Sequence, residues 1–176
     1  MKRAVFLDRD GVINKAIVLN GKPYAPIEIC DLEVLPGTYS ALKKIQDHGL
    51  LTIVVTNQPD VANGKASKDK VESINNYLLH NLPINDIRVC FHNDNDKCLC
   101  RKPLPGLIID AAADYNVDLG NSFMVGDRWR DIDAGSAAGC TTYFIDYGYQ
   151  EEQSKNANYT VACLEEAVEN ILRGLV

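Results

Sequence analysis

The sequence predicts an α/β fold: a Rossmann-like, open, mainly parallel sheet with helices on both faces. Three observations predict it. Short apolar runs alternate with amphipathic stretches along the chain. Runs such as Ala4 to Leu7 are apolar throughout, as strands buried on both faces must be. Four apolar runs are followed by clusters of acidic, hydroxyl or basic residues, and ligands of such sheets gather beyond the carboxyl ends of the strands.

Taken in order, Ala4 to Leu7 reads as the first strand, ending in carboxylates. From Thr38 to His48, Ala41, Leu42 and Ile45 recur at helical spacing and Gly49 supplies the stop. Leu50 to Val55 is a second buried strand. Ser67 can cap a helix whose stripe is Val71, Ile74, Leu78 and Leu79, and Pro83 ends it. Asp86 to Phe91 reads as a strand, Gly106 to Tyr115 as a helix, Ser122 to Val125 as a strand and Asp131 to Ala138 as a helix. Thr141 to Ile145 is a further strand, and Leu164 to Leu172 a closing amphipathic helix. The least regular stretches, 14–35 and 147–158, are expected to be surface loops. Neither leaves room for a separate folded lid, so the site should be capless and comparatively open.

A chain of 176 residues is the usual size of one domain, and residues 1–176 are expected to form one. The net charge of -6 argues against general affinity for nucleic acid or an anionic membrane, since either needs a basic face. The apolar run before Asp8 is four residues long, too short for a signal-peptide core, and no run spans a bilayer. A cytoplasmic monomer is therefore expected, with the six cysteines kept reduced.

Asp8 and Asp10 flank Arg9 at the end of the first strand, and Gly11 permits a sharp turn. Carboxylates two residues apart project to the same side of an extended segment. In phosphoryl transfer one can serve as nucleophile and the other as general acid and then base, with a divalent cation screening repulsion from the phosphate; alone, the pair reads more readily as solvated loop acids. Thr56 and Asn57 end the second strand with groups able to grip phosphate oxygens, or to build an ordinary turn. Arg101 and Lys102 follow the third strand, where a fixed cation can offset phosphoryl charge. Asp127 follows the apolar 123–125 run and can complete a hard-oxygen magnesium site, while Asp131 can orient a neighbouring lysine or water, or cap the next helix. What lifts the four clusters above ordinary loop chemistry is that all end strands of one sheet with complementary charge.

Cys90, His92, Cys98 and Cys100 place three thiols and an imidazole within eleven positions, which fits a closed, structural zinc site. The polar 93–97 loop cannot pack a core, so a metal crosslink gives it a reason for order. Unligated thiols at a turn are the alternative. Cys30, Cys140 and Cys163 read as packing thiols, His48 and His80 as helix-end residues, and Trp129 as packing over the loop or lining the pocket. Arg128 is a candidate for touching substrate. Arg130 reads as a surface charge.

The motifs Asp8-Arg9-Asp10-Gly11-Val12-Ile13-Asn14, Thr56-Asn57-Gln58, Cys100-Arg101-Lys102-Pro103 and Gly126-Asp127-Arg128 together resemble the haloacid dehalogenase superfamily of aspartyl phosphatases, in its order. Within it the chain is most similar to the D-glycero-D-manno-heptose 1,7-bisphosphate phosphatase and histidinol-phosphatase branch. The resemblance implies Asp8 as nucleophile, Asp10 as general acid/base, Thr56 and Lys102 as phosphoryl stabilisers, and Arg101 in substrate recognition. It implies magnesium on Asp8, the Asp10 carbonyl and Asp127, and structural zinc on the Cys/His cluster. The expected function is hydrolysis of a small phosphorylated metabolite, with heptose bisphosphate the leading substrate. The chain departs from the branch at Asn57-Gln58-Pro59-Asp60-Val61-Ala62-Asn63-Gly64, where heptose phosphatases resemble Asn-Gln-Ser-Gly-Ile-Ala-Arg-Gly. Asp60 could pair with an ammonium group, so histidinol phosphate is the alternative substrate, and a non-catalytic phosphate-binding module the alternative class.

Overall fold

The structure is a computed structural model, and it describes residues 1–152, 154 and 156–175. Residues 153 and 155 of the expected 147–158 loop lie outside the described residues. Strands β1 (Ala4–Leu7), β4 (Leu51–Asn57), β5 (Asp86–Cys90), β6 (Phe123–Gly126), β7 (Thr141–Ile145) and β8 (Tyr159–Val161) form one sheet in the order β5-β4-β1-β6-β7-β8, and every pairing is parallel. The two remaining strands, β2 (Ile17–Leu19) and β3 (Lys22–Tyr24), make a separate antiparallel hairpin.

Strand residues alternate between two apolar layers, as the twofold repeat of a strand requires. Val5, Leu7, Val54 and Val125 pack with α1 (Thr38–Asp47), α2 (Lys68–Asn81) and α5 (Leu164–Arg173). Ala4, Phe6, Ile53, Val55 and Met124 pack with α3 (Gly106–Tyr115) and α4 (Trp129–Ala138). The expected parallel sheet with helices on both faces is therefore present. Ser67 caps α2 through Lys70 N, as its position suggested.

One expectation needs correction, and one short strand was not anticipated. The 14–35 stretch is not irregular throughout: Ile17 pairs with Tyr24 and Leu19 with Lys22 across a turn in which Asn20 and Gly21 both have positive φ, 51° and 73°. Asn-Gly suits the left-handed pair of residues that a two-residue hairpin turn needs. The 147–158 loop is followed at once by β8, which extends the sheet beside β7. No helix among the described residues is long and apolar enough to cross a membrane.

Candidate active site

The parallel register brings the carboxyl ends of β1, β4 and β6 together, with the turn after β5 alongside. Asp8 N donates to Val125 O at 3.0 Å, fixing the end of β1 against β6. Beyond it the chain folds back, Arg9 O accepting from the amides of residues 12, 13 and 14, while Gly11 takes φ +97°.

Lys102 is the hub. Its ammonium lies 2.7 Å from Asp8 Oδ1 and 2.6 Å from Asp131 Oδ1, and donates to Val55 O at 2.6 Å. Its backbone is pinned by Asn57, whose amide donates to Lys102 O and accepts from Lys102 N. Asn57 therefore spends its side chain on placing the lysine. Burial pushes the Lys102 ammonium down, but Asp131 and Asp8 outweigh it and hold it well above its ordinary value. Burial, then repulsion from Asp131, push the Asp8 carboxyl up to about 7 against the pull of Lys102. Asp131 also caps α4, its Oδ2 accepting from Arg128 N.

Asp127 is buried and raised well above the usual carboxylate range, first by burial and then by Asp8. Its carboxylate interacts with the Tyr149 hydroxyl, yet neither oxygen has a hydrogen bond of full geometry. Oxygens of Asp8, Asp127 and Asp131 lie within 4.8 Å of one another. Buried carboxylates so close repel, and an under-satisfied pair of oxygens marks where a hard cation relieves them. The donor set fits magnesium.

Asp10 stands beside this cluster. Arg9 grips it through Nε and Nη2, Asn14 donates to it at 3.0 Å and Gln58 at 2.8 Å. Arg9 itself is wholly buried and donates to Asn75 of α2. Arg9, Gln58 and Asn75 are supports that the sequence reading does not single out; buried polar side chains leave no periodic signal. Thr56 is buried, its Oγ1 accepting from Gln58 Nε2.

A cleft of about 250 Å³ opens over Asp8, Asp10, Lys102 and Asp131. The hairpin contributes Lys22 to Ala25, the segment after β4 contributes Asn57 to Asp60, Asn63 and Lys65, and α4 contributes Arg128 and Arg130. Arg130 is thus not a detached surface charge: it lines the cleft, bonds Asp94 at 3.1 Å and stacks on Trp129. Arg101 lies outside the lining, with Nε on Asp94 Oδ1 at 2.9 Å and Nη1 on His92 O. Arg128 lines the cleft with its guanidinium held by Glu151.

The second cluster lies just before Lys102. Cys90 Sγ is 3.1 Å from Cys100 Sγ, 3.7 Å from Cys98 Sγ and 3.6 Å from His92 Nδ1, which is 3.3 Å from Cys100 Sγ. Those separations approximate the edges of a tetrahedron with bonds of about 2.0–2.3 Å, the size zinc requires. Among the other cysteines, Cys140 is buried, Cys163 is half-buried at the start of α5, and Cys30 is exposed, so Cys30 does not pack.

A buried carboxylate paired with a buried lysine, an under-satisfied acid beside it and an open cleft with basic walls suit a phosphate-ester hydrolase. The comparisons agree. A family model described as HAD-hydrolase-like matches residues 99–167. The chain is 32% identical to D-glycero-beta-D-manno-heptose-1,7-bisphosphate 7-phosphatase of Pasteurella multocida, over 99% of each protein. It is 36% identical to the corresponding alpha-anomer phosphatase of Photorhabdus laumondii, over 81% of each. The crystal structure of D,D-heptose 1,7-bisphosphate phosphatase from B. bronchiseptica, complexed with magnesium and phosphate, superposes with a TM-score of 0.83 at 28% identity, covering 99% of each chain. The chain belongs to the haloacid dehalogenase superfamily, among the relatives of the heptose-bisphosphate phosphatases, and is a phosphomonoesterase.

Proposed function

We propose that residues 1–176 form one cytoplasmic phosphatase domain that removes the 7-phosphate of D-glycero-D-manno-heptose 1,7-bisphosphate through an aspartyl-phosphate on Asp8. The observation that carries this reading is the convergence of Asp8, Lys102 and Asp127 beneath a cleft with basic walls.

With Asp8 Oδ1 held by Lys102, Oδ2 attacks phosphorus and the bond to the sugar oxygen breaks. Asp10 protonates that oxygen as it leaves. Asp10 then takes a proton from water, which attacks the phosphorus of the aspartyl-phosphate, releasing inorganic phosphate and restoring the Asp8 carboxylate. Lys102 and Thr56 stabilise the phosphoryl oxygens. Magnesium, held by Asp8, the Asp10 carbonyl and Asp127, supplies the positive charge that screens carboxylate from phosphate. Arg128 faces the rest of the substrate, Asn57 fixes the Lys102 backbone beneath it, and Arg101 joins Arg128 on exchanging the exposed Asp94 carboxylate for substrate. Zinc on Cys90, His92, Cys98 and Cys100 is structural, since four protein ligands leave no open position.

Asp60 favours a second reading. It lines the cleft and can pair with the ammonium of histidinol phosphate. Phosphate release from both compounds, with magnesium, decides between them: heptose bisphosphate is expected to be the better substrate, and turnover of histidinol phosphate alone would overturn that choice. Asp8→Asn is expected to lower kcat at least about a thousandfold. Near-normal turnover by that variant would remove Asp8 as nucleophile, and no turnover of any phosphate ester by the unmodified protein would favour a binding module.

A further inference from the structure

Three consecutive residues after β7 each touch a different element around the cleft. The Tyr149 hydroxyl interacts with Asp127. Gln150 N donates to Gly21 O at 2.8 Å, and the Gln150 side chain lies so close that a Cβ on Gly21 would meet it at 2.7 Å. Glu151 accepts from Arg128 Nε at 2.9 Å and 3.1 Å through its two oxygens, and from Nη2. The segment thereby joins the cation-binding acid, the hairpin wall and the cleft arginine.

The Glu151 contact has a chemical consequence. A guanidinium carries five N–H donors in a rigid planar fork. Glu151 occupies the Nε and Nη2 side, and no described residue accepts from Nη1. Arg128 also feels the charges of Asp131 and Asp8. Without Glu151 those acids would draw the guanidinium inward, over the position of the reacting phosphate. The Glu151 side chain is 11% exposed and the Arg128 side chain 37%, so the carboxylate end of the pair is shielded while the guanidinium keeps a face open to the cleft.

We propose that Glu151 is a positioning residue that sets substrate selectivity. It holds Arg128 at the cleft wall, with its Nη1 edge turned to polar groups of the substrate remote from the reacting phosphate, and keeps it off Asp8 and Asp131. The inference rests on Arg128 facing substrate, as proposed above.

The test is steady-state kinetics of the magnesium-loaded protein on heptose bisphosphate and on p-nitrophenyl phosphate, which has no remote polar group of that kind. Glu151→Gln keeps the shape and removes the charge. Its KM for the sugar phosphate should rise about tenfold with a smaller change in kcat, and the selectivity for sugar phosphate over p-nitrophenyl phosphate should fall by about the same factor. Glu151→Asp should recover part of the loss. In an Arg128→Ala background the Glu151→Gln change should add nothing, because its effect passes through Arg128. An equal loss in that background, an equal loss on both substrates, or an unchanged KM would each overturn the proposal. If the unmodified protein leaves heptose bisphosphate intact, the substrate reading fails by itself; the same comparison on the best sugar phosphate of a panel then decides the role of Glu151.

Discussion

A Cβ placed on Gly11 would stand 1.9 Å from Oδ2 of Asp127. The two residues come from the ends of β1 and β6, so the turn after Asp8 closes over the acid that follows β6 only because position 11 has no side chain. Gly11 also sits at φ +97°, in the left-handed region that side-chain-bearing residues resist. The glycine of the first motif is therefore what lets the turn close over the acid proposed to hold magnesium.

Gly11→Ala is expected to displace the Asp127 carboxylate and strain the turn. Backbone strain alone should cost about 1–2 kcal/mol, and magnesium affinity should fall further than stability does. Thermal unfolding with and without magnesium separates the two losses. A variant that keeps full magnesium-induced stabilisation would show that Asp127 tolerates the shift.

Lys102 compensates two buried acids, so its removal leaves Asp8 and Asp131 facing each other without a cation. Lys102→Met should cost about 3–5 kcal/mol of stability near neutral pH and lower kcat at least about a hundredfold. The stability loss should shrink in acid, where protonation relieves the pair. Urea unfolding at several pH values measures this, and a loss independent of pH would contradict it.

The middle of the sheet was legible because β1, β4 and β6 are largely apolar runs, and the clusters at their ends were legible because charge interrupts those runs abruptly. Asp8, Lys102 and Asp127 could be read as one site from that alternation alone, and the structure brings them together. The β2–β3 hairpin was not read, since Val18 and Leu19 are 53% and 56% exposed and form no buried face; its signal was Asn20-Gly21 between apolar residues. Arg9 and Arg130 were obscured for another reason. Nothing in the local pattern of a charged residue shows whether it lies inside against Asn75 or along a cleft wall. Strand β8 is too short to show periodicity.

Acidity offers a third prediction. The folded Asp8 carboxyl is raised to about 7 from an ordinary 3.8, and Asp127 is raised too. Between those values the metal-free fold retains protons that the unfolded chain has released. Its stability from this source is therefore full below the ordinary carboxylate range and is lost as pH rises through about 7. Magnesium needs the deprotonated acids, so the gain in Tm on adding it should be larger at about pH 8 than at about pH 5. Equal gains at the two pH values would show that these carboxyls do not titrate as the geometry requires.

Zinc removal should reach the active site through a short covalent path. Cys100 is two residues from Lys102, whose backbone is fixed by Asn57, and His92 O accepts from Arg101. Burial, then the Cys100 thiol, push Cys90 up to about 12, while at Cys98 burial is outweighed by hydrogen bonds from Cys100 and the Arg101 backbone, which pull it down to about 7, so the metal-free cluster keeps the Cys90 proton and a bound ion must displace it. Reduced protein purified without chelator should contain about one equivalent of zinc. Stripping it should lower Tm and kcat together, and adding zinc back in the presence of magnesium should restore both. The Cys98→Ser variant should do the same in part, because Cys98 closes the cluster across the polar 93–97 loop. A stripped protein that keeps its kcat while losing Tm would separate the zinc loop from Lys102 and show that Asn57, Asp8, Asp131 and Val55 hold the lysine in place without it.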